Sequence, residues 1–298
     1  MTWVTALILI TSALPALLAR LAGGYPPNPG PELAALAPLA VVPAVAAVIV
    51  AGFAAWWLAA LLAIPAALLV IWQLPPLRRV RVRAAAGPSR GTASAATTLR
   101  LRLFTVNAKC GAADPAAIVG MLRQHGVDVL AVQELTAPMV TRLAAAGLTQ
   151  LLPFSHLDAR PGSGGTGLWA RWPLAPLPPV PGLAAAAPRA RIDPPGGCAV
   201  TLTAVHPAAP VRGRAARMRG RADRWRRELA MIRQTLAASD GPQVVAGDFN
   251  ATRDHGPFRE LLAAGFADCA DAGQTRSWPG FTWSSRVSTV ALFCSAIL

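Results

Sequence analysis

Charge is what the first part of this 298-residue chain lacks: between Met1 and Leu74 only Arg20 and Glu32 carry a charged side chain. A soluble domain surface needs several times that density of charge, so this stretch cannot face water over its whole length. Lysine is nearly absent as well, with Lys109 alone among 28 basic residues. The net charge of +14 is therefore almost entirely arginine, and nearly all of it lies beyond Leu74. The cysteines, Cys110, Cys198, Cys269 and Cys294, have no CxxC or Cys/His spacing, which removes the sequence pattern of a zinc site. Their even number leaves disulfides open beside the alternative of small buried thiols, and so fixes no compartment.

What the first 74 residues contain is three apolar runs, Trp3 to Leu18, Leu33 to Phe53 and Ala54 to Leu74. A hydrocarbon core of ~30 Å needs about 20 helical residues, a length that the second and third runs supply and the first approaches. The expectation is a multi-pass membrane region of about three transmembrane helices. Two alternatives remain open at this stage: a signal-peptide core in the first run, and a buried helical hairpin of a soluble protein. Pro15, Pro43 and Pro65 lie inside the runs and do not exclude spans, because neighbouring helices satisfy the freed carbonyls. Arg78, Arg79, Arg81 and Arg83 follow the third run, a positive flank that favours a cytoplasmic C-terminal domain. Arg20, between the first two runs, would lie on the same side. These features divide the chain into a hydrophobic region at 1–77, a basic and Ala/Gly/Ser-rich linker at 78–98, and a domain at 99–298.

Beyond the linker, strands and helices alternate. Leu101 to Val106 reads as a strand. Asp114 followed by Pro115 is an N-cap with proline in the first turn, and Ile118, Val119 and Leu122 form the apolar stripe that Gly126 stops. Val127 to Val132 is a continuous apolar strand, buried on both faces. Further strands are expected at Leu168 to Ala170 and Ala199 to Val205, and further helices around Ala137 to Ala146 and Phe258 to Ala264. Trp225, Leu229, Ile232 and Leu236 lie on one helical face. This alternation implies a layered α/β domain.

Several strands end in a polar side chain. Asn107 follows the first, Glu134 the second, His206 the strand from Ala199, and Asp248 and Asn250 the apolar run Val244 to Ala246. On an extended chain Asp248 and Asn250, two residues apart, would project to the same side. Together the segments TVNAKC at Asn107, VLAVQEL at Gln133 and Glu134, GGTGLWAR at Gly164 to Arg171, AVHP at His206 and GDFNAT at Gly247 to Thr252 resemble the endonuclease/exonuclease/phosphatase superfamily, the deoxyribonuclease-like metal-dependent phosphoesterases. They cover roughly residues 99 to 283, in the family's order, and are most similar to membrane-anchored, Ala- and Arg-rich bacterial members.

The resemblance implies a four-layer α/β/β/α sandwich preceded by transmembrane helices. It implies a metal-dependent phosphoric ester hydrolase using Mg²⁺, with Mn²⁺ as a substitute. Glu134 would ligate the metal, in keeping with the preference of a hard cation for carboxylate oxygen, and Asn107 would help place metal and phosphate. Asp248 would orient or deprotonate the attacking water, Asn250 would donate to the phosphate, and His206 would contact phosphate and assist as an acid. Phosphoester substrates of this fold include nucleic acid and phospholipid, and the sequence does not choose between them. The reading is a membrane-anchored phosphodiesterase-type hydrolase; its rivals are a nuclease and a catalytically silent phosphate-binding membrane protein. His255 lies close enough to the GDFN segment to be a supporting residue.

Two features stand apart. Eight arginines between Arg212 and Arg227 form a dense basic stretch, either a solvated loop and helix face or an attraction for phosphate-bearing polymers or anionic lipid. At the other end, Thr282 and Trp283 are followed by Ser284, Ser285 and Arg286, and no Asp or His follows Asp271. The family's terminal Asp-His pair has no counterpart in that segment. The expectation is impaired activity, loss of the family's final strands, or a shifted reading frame near Trp283.

Overall fold

A computed structural model describes residues 2–23, 33–34, 37–54, 56–73, 101–195, 197–210, 215–268 and 292–295. The linker, the basic flank Arg78–Arg83 and the segment from Thr282 to Arg286 lie outside them. The chain divides into two compact units, one of residues 1–79, 209–226 and 251–260, the other of residues 80–208, 227–250 and 261–298.

In the first unit three helices, α1 (Thr2–Leu21), α2 (Ala37–Ala54) and α3 (Trp56–Gln73), occupy the apolar runs. They meet through small side chains: Ala13, Ala16, Ala40, Ala44 and Ala66 form one buried cluster. Large apolar residues point away, with Val42 72%, Phe53 85% and Trp56 79% exposed. Among the described residues, one helix is long and apolar enough to cross a membrane, over Val4–Leu21. The apolar stretches of the other two are shorter, Leu39–Phe53 and Ala59–Leu68.

The second unit holds two sheets. Strands β1 (Leu103–Asn107), β2 (Val129–Gln133), β3 (Phe154–Asp158) and β4 (Thr166–Ala170) form the first, in the order β1-β2-β4-β3. Strands β5 (Ala175–Leu177), β6 (Arg189–Ile192), β7 (Val200–Val205), β8 (Gln243–Gly247), β9 (Ala267–Asp268) and β10 (Leu292–Ser295) form the second, in the order β5-β6-β7-β8-β10-β9. The period of two along each strand sorts the core. Leu130 and Val132 face helices α4 (Pro115–His125), α5 (Ala137–Ala145) and α6 (Leu148–Leu151), packing with Val119, Leu122, Met139 and Leu143. Val129 and Ala131 face the other sheet, packing with Leu202, Ala204, Val244 and Ala246. Helix α7 (Ala215–Ala237) buries Leu229, Ile232 and Leu236, and its last carbonyls, with that of Ser239, are held by β8: Gln243 Nε2 donates to Leu236 O and Ser239 O, both at 2.9 Å.

Local signals act as expected. Asp114 Oδ1 accepts from Ala116 N at 2.9 Å, and Gly126 closes α4 in the left-handed region at φ 57°. The apolar ending contributes one strand: β10 pairs antiparallel with β8 and β9. It covers the edge that β8 would otherwise leave unpaired. Strands β3, β5, β6 and β9, and helix α6, carry too little periodicity to be read from sequence.

Candidate active site

The register of the strands gathers the polar residues. β1 and β2 are parallel with Asn107 opposite Gln133, and β7 and β8 are parallel with Val205 opposite Gly247. Along the face between the sheets, alternation carries Thr105 into Asn107, Ala131 into Gln133, Ala204 into His206, and Ala246 into Asp248. The inter-sheet layer, apolar along most of its length, thus becomes polar at one end. Gly247 makes the close approach possible, because a Cβ there would lie 1.8 Å from the Val205 carbonyl oxygen. A side chain at Gly165 would similarly meet Leu135 O at 1.9 Å.

Asn107 is the hub of the site. Its Nδ2 donates to Glu134 Oε1 at 3.0 Å and to Asp248 Oδ2 at 3.1 Å, while Oδ1 accepts from Lys109 N at 2.8 Å. His206 Nε2 lies 3.9 Å from each of the same two carboxylate oxygens. Two anionic oxygens from different sheets therefore converge on one neutral amide nitrogen and one imidazole. Glu134 Oε2 accepts from Cys110 N at 2.7 Å and lies 3.2 Å from Cys110 Sγ. Burial works against ionising Glu134, but the hydrogen bonds from Asn107 and Cys110, with His206 nearby, outweigh it and hold the carboxyl below its ordinary range. The group stays charged.

The backbone here is unusual. Lys109, Cys110, Glu134 and Asn250 all have positive φ, at 50°, 53°, 54° and 49°. Non-glycine residues in the left-handed region cost free energy and cluster at functional sites. Alternation alone would send Glu134 to the helix side, opposite Gln133; its left-handed turn returns the carboxylate to Asn107. Asn250 departs from the extended geometry expected of it. The chain turns after β8, Asn250 N donates to Asp248 Oδ1 at 3.1 Å, and Asn250 Nδ2 donates to Pro207 O at 3.0 Å. An aspartate two residues before an amide closes such a turn readily, so the two side chains are not simple same-face neighbours.

Sequence reasoning missed several supports. Thr105 and Gln133, buried side by side, hydrogen-bond through Oγ1 and the carboxamide at 3.1–3.2 Å. The signal available was a polar residue within each apolar strand. Ser163 O lies 3.3 Å from His206 Nδ1, a backbone contact with no sequence trace; as a donor to that carbonyl, Nδ1 carries a proton, and Nε2 is the nitrogen that faces the carboxylates. Cys110 is exposed and sits at the Glu134 carboxylate rather than buried in the core. His255 is buried in the first unit, where its Nδ1 meets Thr252 N at 2.9 Å and its ring stands edge-on to Trp225.

The donor chemistry suits a hard divalent cation held by few protein ligands. Glu134 Oε1 and Asp248 Oδ2 supply two carboxylate oxygens aimed at a shared point, and Mg²⁺ needs only one or two such groups because it keeps waters and takes substrate oxygen. Among the described residues no group of three or more His, Cys, Asp and Glu is arranged as a metal cage.

The model of the endonuclease/exonuclease/phosphatase family matches residues 104–292, and the chain belongs to that family, whose members are hydrolases of phosphoester bonds that generally use divalent metal ions. No curated protein compared with the sequence matches it. Among solved structures, humanized D. rerio TDP2 carrying 14 mutations is similar at 16% identity and a TM-score of 0.50, covering 66% of this chain and 83% of that one. Sphingomyelinase C from Streptomyces griseocarneus is similar at 17% identity and a TM-score of 0.47, covering 65% and 83%. An AP endonuclease from Archaeoglobus fulgidus is similar at 13% and 0.49, covering 66% and 87%. The first of these likenesses supports the two-sheet fold and says nothing of substrate.

Proposed function

We propose that the protein is a membrane-anchored, Mg²⁺-dependent phosphodiesterase-type hydrolase. The observation that carries the chemistry is the convergence of Glu134 and Asp248 on Asn107 Nδ2, with His206 Nε2 equidistant from both carboxylates. Glu134, supported by Asn107, would hold the divalent ion, for which Mn²⁺ can substitute. A bound ion supplies charge neutralisation at the phosphate. Asp248 orients or deprotonates the attacking water, His206 contacts the phosphate and gives a proton to the leaving oxygen, and Asn250 donates to the phosphate as charge builds. Such a site works by positioning and electrostatics rather than covalent attack.

Membrane anchoring is supported by the packing of the first unit. Among the described residues, 17 of the 18 exposed large apolar side chains lie on α1, α2 and α3, and Phe154 lies elsewhere. Helices that meet through alanine and expose leucine, valine and tryptophan are built for a solvent as apolar as they are. A soluble hairpin would reverse the two sets. We read the region as multi-pass, with the hydrolase domain on the cytoplasmic side.

The full chain in detergent micelles, given a chromogenic phosphodiester, tests the chemistry. Turnover with Mg²⁺ and its loss on chelation are expected. Equal turnover in Glu134→Gln and Asp248→Asn with metal chelated overturns the mechanism. Resistance to alkaline carbonate extraction tests the anchor, and release into the soluble fraction overturns it.

A further inference from the structure

The arginine-rich stretch belongs to the same compact unit as the apolar helices, and a chain of contacts within that unit joins them. Arg20, in the last turn of α1, pairs with Asp254 through Nε and Oδ1, and its carbonyl accepts from Arg259 Nη2 at 3.2 Å. Gly256 N donates to Gly23 O at 2.7 Å, just past the end of the helix. The next link is His255, whose ring meets that of Trp225 in α7 at a centroid distance of 5.2 Å. Trp225 is fully buried, while Arg221, Arg224 and Arg226 around it are exposed.

Three facts therefore coincide in the first unit: the end of the candidate span, a buried ionic clasp, and exposed arginines of the longest basic stretch in the chain. From Arg212 to Arg227 there are eight arginines against one acid, Asp223. Asp223 lies 3.8 Å from Arg226 and offsets a small part of that charge. An aliphatic stem ending in a guanidinium fits the boundary between hydrocarbon and phosphate headgroup, where each basic residue adds attraction to an anionic surface. Single-stranded nucleic acid would ask for aromatic platforms among the arginines, but the aromatic side chain in the stretch, Trp225, is buried and committed to His255.

We infer that the exposed arginines Arg221, Arg224 and Arg226 of α7 form a docking surface for anionic phospholipid headgroups, clasped to the membrane end of α1 through Asp254–Arg259. The inference rests on the reading of α1 as membrane-embedded, and deepens it by naming the lipid class. It also assigns a purpose to the Arg20–Asp254 pair that the hydrolase chemistry does not use.

The full chain in lipid nanodiscs, probed with trypsin, tests this because trypsin cuts after the arginines in question. Cleavage between Arg212 and Arg227 is expected to be at least about fivefold slower in discs of phosphatidylcholine with phosphatidylserine than in phosphatidylcholine alone. Raising salt to about 0.5 M should remove the difference, since the Debye length falls below the reach of the contact. A combined R221Q, R224Q and R226Q variant should lose most of the protection at the remaining arginines while staying resistant to carbonate. Equal cleavage in the two kinds of disc, in a chain that carbonate does not extract, overturns the lipid surface and leaves the anchor standing. Extraction by carbonate overturns both. Protection by single-stranded DNA in neutral discs, without protection by phosphatidylserine, reassigns the stretch to nucleic acid.

Discussion

Alanine and leucine exchange places between the two units. In the α/β layers Leu130, Leu135, Leu143 and Leu168 are fully buried, whereas in the helical unit Ala44, Ala47 and Ala51 take the inside and Leu61, Ile64 and Phe53 the outside. Water drives large apolar groups inward because each removes more area from contact with it. A hydrocarbon solvent applies no such force and leaves close backbone approach to decide, which favours small residues between helices. Two opposite packings in one chain are what the proposed anchoring of the first unit would produce. The comparison also isolates the exception: the polar end of the inter-sheet layer, where Asn107, Glu134, His206 and Asp248 interrupt a core otherwise made for burial.

The largest effects are expected at that exception. Glu134→Gln and Asp248→Asn keep shape and remove charge, so turnover of a phosphodiester should fall about 10²–10⁴-fold, with melting little changed. Steady-state kinetics beside thermal melting checks this. A large loss of melting temperature with proportionate loss of turnover would reduce both residues to structural supports.

Next come substitutions that set the two packings against each other. Leu130→Ala, in the helix-facing layer of the first sheet, should cost about 2–5 kcal/mol, read from denaturant melting in detergent. Ile49→Lys places a charge on the outward face of α2, where Ile49 is 57% exposed. In water that change would be nearly neutral; in a bilayer it should disfavour insertion by about 2.5–3.5 kcal/mol. A glycosylation-site insertion assay measures it, and unchanged insertion would remove the contrast on which the anchor rests. Ala44→Leu, at a fully buried position in the alanine cluster, should cost about 1–3 kcal/mol by overpacking, although it makes the residue more apolar. Stabilisation by that change would mean that the helices want a larger core.

How much of this was legible in sequence varies with the kind of signal. Helix α4 could be placed within a residue because Asp114, Pro115 and Gly126 are each local devices that work wherever the chain is. The polar strand ends Asn107, Glu134, His206 and Asp248 could be named because buried strands end abruptly and an amide or carboxylate there is conspicuous. Their geometry could not. The hub role of Asn107 depends on Asp248, 141 residues away, and the return of Glu134 depends on a left-handed backbone that no propensity assigns to glutamate. The contact of His206 with Ser163 uses a carbonyl, which every residue has. Strand β10 escaped notice because its four residues pair with β8 through backbone groups, while the segment was read for an Asp-His pair. The arginine stretch was visible as charge, but its clasp to the end of α1 needed Arg20 and Asp254 to be seen together.

The smallest expected effect sets two buried acids, one from each unit, against each other in their response to pH. Glu134 has its carboxyl held below the ordinary range, burial being outweighed by Asn107, Cys110 and His206. Asp254 is pushed up by burial, which outweighs Arg20, Arg259 and Arg253. The signs follow from linkage. For Glu134 the folded state binds its proton more weakly than the unfolded chain, so its contribution to stability is present above the ordinary glutamate value, about 4.3, and is lost as pH falls through the lower folded value. For Asp254 the folded state holds the proton more tightly. Its ionised form therefore costs stability at neutral pH, and that cost is relieved as pH falls through the raised folded value. Melting measured from neutral pH down to about pH 3 should accordingly show Glu134→Gln losing less stability than the parent chain, and Asp254→Asn losing more. If both variants track the parent, the two carboxyls titrate alike in the folded and unfolded chain, and the contrast between the units stops at their apolar packing.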